Sequence, residues 1–264
     1  PGYLMVLDSE GRRPETTLDL GGEARDLMRR GDAVAAATSG GLRVYSGDLN
    51  RLRWSAPGDL TRADPALDGR AVALGGKTIT VYDANGAVRA RKQLRRSYVA
   101  VVAIHPDRAV VYVVGFDNKR NRNPVQVAFL EARRGEDLEL VWRLWSFDAK
   151  LLDQDMADTR LYRVLVGPDG ALYVSGESAG GNTIFRWNGK DLKTNRLVKF
   201  DLYNDPWSLK SAHILYYARI NAETGELQRG QFAIPRLVSK KNLGNTFRAR
   251  DGDLVVGENG VLYL

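Results

Sequence analysis

The sequence predicts an all-β fold, a β-propeller of about six blades, on three observations. One phrase recurs five times: Gly31–Gly41, Asp68–Lys77, Pro106–Gly115, Pro168–Glu177 and Asp251–Gly260 each read as a polar turn, a short apolar strand and a Gly-containing turn. A second strand follows each copy, at Leu42–Tyr45, Thr78–Tyr82, Val125–Phe129, Thr183–Trp187 and Val261–Leu264. Sustained apolar spacing at three and four residues, the mark of an amphipathic helix, is scarce. A small β unit repeated along a whole chain cannot bury its apolar face alone, and stacking the copies around a ring is a simple way to cover it.

The elements follow in order. Tyr3–Leu7 and Thr16–Leu20 read as strands, with Asp8-Ser-Glu-Gly11 as the turn after the first. The same shape, an apolar strand, then Asp or Asn, then Gly, recurs at Thr80–Gly86 and Ala218–Gly225; glycine supplies the positive φ of such turns. The strands after these turns carry bulky residues: Leu52–Trp54, Val88–Leu94, Leu140–Trp145 and Arg229–Ile234. Ala24–Arg30 is read as one or two helical turns, and the polar stretch Lys150–Asp158 as a loop or short helix.

The spacing of the copies sets the blade count. They begin at 31, 68, 106, 168 and 251, so the intervals are 37, 38, 62 and 83 residues. A four-stranded blade takes about 40–45 residues. The first two intervals fit one blade each and the third one blade with long loops. The fourth fits two blades, or one with an insertion at about 190–212. Six blades is the expectation, with five or seven open, in a single domain over 1–264. Strands from the two ends would close the ring if they shared a blade, which removes open sheet edges. Val261–Leu264 and Tyr3–Leu7 compete for the same third position, however, which leaves open that the chain is a fragment of a longer one.

Composition bounds the rest. The 264 residues are 44% hydrophobic and 27% charged, ordinary for a folded protein. Mean hydropathy is −0.33, and no apolar run approaches the roughly 18 residues of a membrane-spanning helix. No signal peptide is visible where Pro1–Leu7 runs straight into a strand, so the expectation is either that a leader has been removed or that the chain is trimmed. There is no cysteine, which excludes disulfides and thiolate metal sites, and only two histidines, His105 and His213. The net charge of +7 suits a soluble Arg-rich surface or attraction to a polyanion. The cations come as scattered pairs, such as Arg95-Arg96 and Arg133-Arg134, and never as a block of five.

Two phrases carry a family resemblance. Gly170-Ala-Leu-Tyr-Val-Ser-Gly176 resembles the Gly-x-x-Tyr-Val-x-Gly strand of the SBBP repeat. Leu4–Gly11 and Ile220–Gly225 resemble the Leu-Asp-x-x-Thr-Gly turn of quinoprotein-like repeats. The chain thus resembles the loosely repeating bacterial β-propellers of these kinds. The resemblance implies the fold and an extracytoplasmic (periplasmic or secreted) location; it implies no reaction. The quinone-binding enzymes of that fold commonly carry vicinal cysteines and a tryptophan docking motif. Neither is found in the sequence, so no cofactor is carried over.

Motifs for chemistry are sparse. Gly176-Glu-Ser-Ala-Gly180 fits G-x-S-x-G, whose serine sits between a strand and a helix in an α/β-hydrolase. Here a strand pattern follows it, and the other four copies of the phrase point to a plain β-turn. His105 falls at a repeat turn and is expected to be exposed. No metal loop and no phosphate-loop spacing is present. No catalytic residue and no metal ligand is therefore assigned.

Binding is expected on loops. If the five phrases are equivalent strands, the turns after them share one face, and rigid scaffolds usually bind through loops. The longest, Asp117–Pro124, offers the cations Lys119, Arg120 and Arg122 and the amides of Asn118 and Asn123, suited to carboxylate, phosphate or sugar hydroxyls. The loop Glu177–Asn182 brings Glu177, Ser178 and Asn182. The insertion adds Tyr203 and Trp207, with flat aromatic surface and polar edges, next to His213. A solvated hairpin tip and a packed plug are the plain alternatives. The expected function is a non-catalytic binding or scaffold module for an acidic ligand, an acidic glycan or a partner protein. The rival is a carbohydrate-active hydrolase or lyase using Asp117 and Glu177. Nucleic acid is disfavoured, because stacking aromatics do not interleave with a basic stripe.

Overall fold

The structure is a computed structural model. It describes residues 2–7, 10–120, 124–145, 158–179, 184–185, 187–188, 191–195, 213–233, 254–257 and 262–263. Among them every regular element is a strand, and two compact units can be told apart.

The first unit comprises Pro1–Arg95, Val102–Val111 and Arg134–Glu139. It opens with a two-stranded antiparallel sheet, β1 (Tyr3–Leu7) and β2 (Pro14–Asp19). Two four-stranded antiparallel meanders follow, the blades of a β-propeller. Blade 1 is β3 (Ala24–Arg30), β4 (Ala33–Thr38), β5 (Gly41–Ser46) and β6 (Leu52–Pro57); blade 2 is β7 (Arg62–Pro65), β8 (Ala71–Gly75), β9 (Thr78–Tyr82) and β10 (Val88–Gln93).

Strand β4 is buried along its whole length because both its faces are covered. Ala35 and Ala37 join a cluster with Leu42, Val44, Trp54, Ala71, Ala73 and Tyr82, which spans blades 1 and 2. Val34 and Ala36 join Leu20 and Tyr45 on the other face, against which Leu4, Val6 and Leu18 of β1–β2 pack. Strands covered on both sides lose the in–out alternation of a half-exposed sheet. This is why the repeated phrase reads as a continuous apolar run.

Ala24–Arg30, read from sequence as helical turns, is the strand β3. Its ladder to β4, with Leu27 opposite Ala36 and Arg29 opposite Val34, overrides weak local preference. Its polar side chains bind blade 2. Asp26 accepts the Ala63 amide at 3.0 Å, and Arg30 pairs with Asp64 at 3.1 Å. Asp64 is buried and also accepts the Ile104 amide at 2.9 Å. Burial pushes its carboxyl above the usual range, against the opposing pull of Arg30 and that amide.

Blades 1 and 2 also meet through an indole. The Trp54 Nε1 donates to the Gly69 carbonyl at 3.1 Å, and its ring tilts against Tyr82 at 5.4 Å between centroids. Gly86, at φ 83°, lies on that ring; a Cβ there would sit 2.8 Å from Cε3.

The second unit comprises Arg96–Val101, Tyr112–Arg133 and Leu140–Leu264. Blade 3 is β11 (Tyr98–Ile104), β12 (Val110–Arg120), β13 (Pro124–Arg134) and β14 (Leu140–Leu144). Blade 4 begins with β15 (Thr159–Val166) and β16 (Leu172–Ser178). A separate hairpin of β17 (Trp187–Asn188) and β18 (Asp191–Asn195) intervenes, and β19 (Ile214–Ile220) and β20 (Leu227–Ala233) complete the blade. Last comes the two-stranded sheet of β21 (Val255–Val256) and β22 (Leu262–Tyr263). Leu254 and Val256 pack against Leu165, Ala171 and Tyr173 of blade 4. The indole contact recurs here: Trp142 Nε1 donates to the Ala222 carbonyl at 3.3 Å, and Gly225, at φ 70°, lies on its ring.

The described residues thus form four blades, where the sequence predicted about six. The difference arises in the 83-residue interval. The strand paired with β16 is β19, not the expected Thr183–Trp187, so residues 179–213 separate two neighbouring strands of one blade. The fifth copy of the phrase contributes β21, which among the described residues belongs to a two-stranded sheet. His105, expected to be exposed, is buried; its Nδ1 accepts the Asp107 amide at 3.2 Å and closes the turn from inside.

Gly86→Ala should destabilise the protein by about 1–3 kcal/mol, because alanine is strained at this φ and meets the Trp54 ring. The expected result is a lower urea midpoint with an unchanged slope.

Candidate functional site

The end of the β12–β13 hairpin and the adjoining ends of β15, β16 and β19 carry a network of polar side chains among the described residues. It begins with a carboxylate inside an apolar strand. Glu131 of β13 is fully buried. Arg133 donates to its Oε2 from Nε at 2.9 Å and Nη2 at 2.6 Å, Arg143 Nε donates to Oε1 at 2.9 Å, and Arg96 pairs with Oε1 as well. Burial alone would raise this carboxyl, but Arg96 and Arg133 outweigh it and hold Glu131 below the usual carboxylate range.

Arg96 also binds Asp117, placing one guanidinium between two carboxylates. Its Cζ lies 4.6 Å from the Phe129 ring centroid. Asp117 accepts the Ser97 amide at 3.0 Å, and the Ser97 hydroxyl accepts the Asn118 amide at 2.9 Å. Lys119 lies over the Trp145 ring, Nζ 5.3 Å from the centroid. Among the described residues Lys119 makes no ion pair.

A second arginine connects the two blades. Arg160 of β15 donates to Glu177 Oε1 at 2.8 Å and to Gln126 Oε1; the Gln126 amide nitrogen reaches Asn118 Oδ1 at 3.4 Å. The Tyr162 hydroxyl donates to the same Glu177 oxygen at 2.8 Å. Burial first, and then that hydrogen bond, push the Tyr162 phenol up to about 12. Backbone contacts run alongside: the Gln126 amide donates to Asp158 at 2.8 Å and the Ala128 amide to Thr159 Oγ1 at 2.9 Å.

This geometry places several of the residues singled out in the sequence together. Asn118 is exposed, Lys119 half-buried, and Asn118 is linked through Gln126 and Arg160 to Glu177. Glu177 and Ser178, expected in a loop, are the last two residues of β16 and are buried. Pairing of Ser178 with Ile214 brings His213, also buried, to the same end. Arg120 ends β12; its side chain lies outside the described portion. Arg122, Asn123, Asn182, Tyr203 and Trp207 lie outside the described residues. Ser178 pairs in register with both Thr159 and Ile214, so it sits inside a sheet and not on the strand-to-helix turn of a hydrolase nucleophile. Among the described residues no cluster of His, Asp or Glu could hold a metal ion, and no helix is long and apolar enough to cross a membrane.

Sequence reasoning missed the arginines that organise this region. Arg96 and Arg133 stood out only as members of scattered pairs, and Arg160 not at all. The available signal was Glu131: a carboxylate in an apolar strand must find cations or lose its charge.

The chain matches no protein-family model and no curated protein sequence. Its similarity is to solved structures. BamB from Moraxella catarrhalis aligns at 14% identity, covering 87% of this chain and 70% of that one, with a TM-score of 0.46. Hydrazine synthase of Kuenenia stuttgartiensis aligns at 11% identity, covering 96% of this chain and 63% of that one, with a TM-score of 0.55. Kluyveromyces lactis Hsv2 aligns at 12% identity, covering 89% and 79%, with a TM-score of 0.47. The likeness is one of fold. The superposition on the synthase carries it, and this chain spans 63% of the length of that chain.

Glu131→Gln should cost about 3–5 kcal/mol at neutral pH, because it leaves buried guanidinium charge uncompensated. A depressed carboxyl stabilises the fold above its unfolded pKa, about 4.3, and that contribution is lost as pH falls through the lower folded value. The stability gap between wild type and variant, followed by denaturant melts, should therefore narrow below about pH 4.

Proposed function

We propose that this chain is a non-catalytic binding or scaffold β-propeller that presents one loop face to an acidic ligand, an acidic glycan or a partner protein. The observation that carries the reading is the charge state at the end of the β12–β13 hairpin. The carboxylates there are already matched by Arg96 and Arg160, whereas Lys119 stands over Trp145 with no ion pair among the described residues. Arg120 and Arg122 adjoin it in sequence. Surplus positive charge on a loop face favours an acidic partner and raises its rate of encounter. Asn118, Asn123, Asn182, Tyr203 and Trp207 belong to the same proposed face, with the buried Glu177, Ser178 and His213 as supports at the end of β16 and β19.

The alternative, a carbohydrate-active hydrolase or lyase, needs carboxylates free to exchange protons with substrate. Asp117 is held by Arg96 and the Ser97 amide, and Glu177 by Arg160 and Tyr162. These contacts favour structural roles for both. The proposed extracytoplasmic location, and kinship with quinoprotein-like or SBBP-repeat propellers, rest on the short repeat motifs alone.

Binding to a poly-glutamate chain, measured at increasing salt, tests the face. Lys119→Ala/Arg120→Ala/Arg122→Ala should weaken it and flatten its salt dependence; unchanged affinity in a folded variant places binding elsewhere. Turnover of a glycan or ester that disappears in Glu177→Gln would decide for the enzyme.

A further inference from the structure

The first unit contains a cleft of about 520 Å³ between blade 1 and blade 2, within the usual size range for small-molecule sites. One wall is the β6 end and the segment after it, including Ser55 and Asp59; the other is one face of β9 and β10. The register defines that second wall. Thr78, Thr80 and Tyr82 alternate along β9 and so share a face, and Arg91 of β10 stands directly opposite Thr80.

The chemistry of this wall is unusual for the chain. Most described arginines with a partner are held by a carboxylate or a carbonyl. Arg91 is exposed, lines the cleft, and makes no ion pair or side-chain hydrogen bond among the described residues. The carboxylate on the facing wall, Asp59, is already paired with Arg25. Arg91 therefore faces hydroxyls and no free acid. Tyr82 hydrogen-bonds Thr80, and burial keeps its phenol protonated against the pull of the Arg91 charge. The Tyr82 ring rests on Trp54, which fixes its position.

We infer that this cleft binds a small hydroxylated carboxylate of the sugar-acid class, with Arg91 taking the carboxylate and the Thr78 and Thr80 hydroxyls taking ring hydroxyls. A guanidinium matches a carboxylate through two parallel hydrogen bonds. Hydroxyls both donate and accept, as a sugar ring requires. The site is independent of the loop face proposed above. The ligand is either a free sugar acid or one residue of an acidic polysaccharide, and the two share this chemistry.

The test is titration of the intact chain by calorimetry and NMR with glucuronate, a uronate trimer, glucose and acetate. Glucuronate or the trimer should bind, with glucose and acetate each about tenfold weaker or worse, the scale of one lost charge-assisted contact. Binding of the monomer indicates a free sugar acid; binding of the trimer alone indicates a polysaccharide. Arg91→Ala should weaken binding by about tenfold or more, and Thr80→Val should weaken it with the fold intact by NMR. Affinity should survive Lys119→Ala/Arg120→Ala/Arg122→Ala, which separates this site from the loop face. No binding of either uronate, acetate binding as tightly as glucuronate, or full affinity in Arg91→Ala would overturn the inference.

Discussion

Strands covered on both faces impose the constraint on which the other features rest. Once β4 must be buried between β1–β2 on one side and blade 2 on the other, its residues must be small enough for the sheets to approach. Alanine at 33, 35, 36 and 37 meets that demand. Larger groups then fill the wider space at the outer strands. Trp54 and Trp142 each bridge to the next blade through an indole N–H, and a glycine turn takes the ring's face. Two blade pairs use the same device, so the contact belongs to the repeat and not to one site.

The buried carboxylates Asp64, Asp117, Glu131 and Glu177 enter this apolar arrangement matched by arginines. Asp26, Asp64, Asp158 and Thr159 each accept a backbone amide from a neighbouring blade, satisfying donors that no sheet ladder serves. Asp64 and Glu131 show how the balance differs between two buried carboxylates. With Arg30 as its one cationic partner, Asp64 is shifted up by burial. Glu131, with three arginines, is shifted down. Asp64 lies on the edge strand β7 and Glu131 on the inner strand β13, and the number of cations facing each decides the sign.

The same accounting underlies the two binding regions proposed above. Where Arg96 and Arg160 are saturated by carboxylates, they fix the ends of β12, β13, β15 and β16 relative to one another. Where a cation is left over, as with Lys119 in one unit and Arg91 in the other, charge is available for a ligand. A chain of net charge +7 must leave some cations over. The structure shows which of them stand on rigid strands.

Much of the architecture was legible in the sequence. The repeated phrase marked β4, β8, β12 and β16 because each is an apolar run ended by a turn, and local chemistry sets such runs. The turns before Gly86 and Gly225 were legible for the same reason: only glycine relieves that backbone. Three things were not. The strand nature of Ala24–Arg30 depends on a ladder to β4 and on acceptors in blade 2. The pairing of β16 with β19, and with it the count of four blades, depends on contacts between residues far apart in the chain. The burial of Glu177 and Ser178 depends on strands on both sides of them. By itself the sequence determined the all-β repeat, its turns and its excess of positive charge, because these are properties of neighbouring residues. Tertiary structure alone decided which carboxylates are neutralised and which cations remain, because most of these pairs join different strands or blades, as Arg96 with Glu131 and Arg30 with Asp64, between residues far apart in the chain.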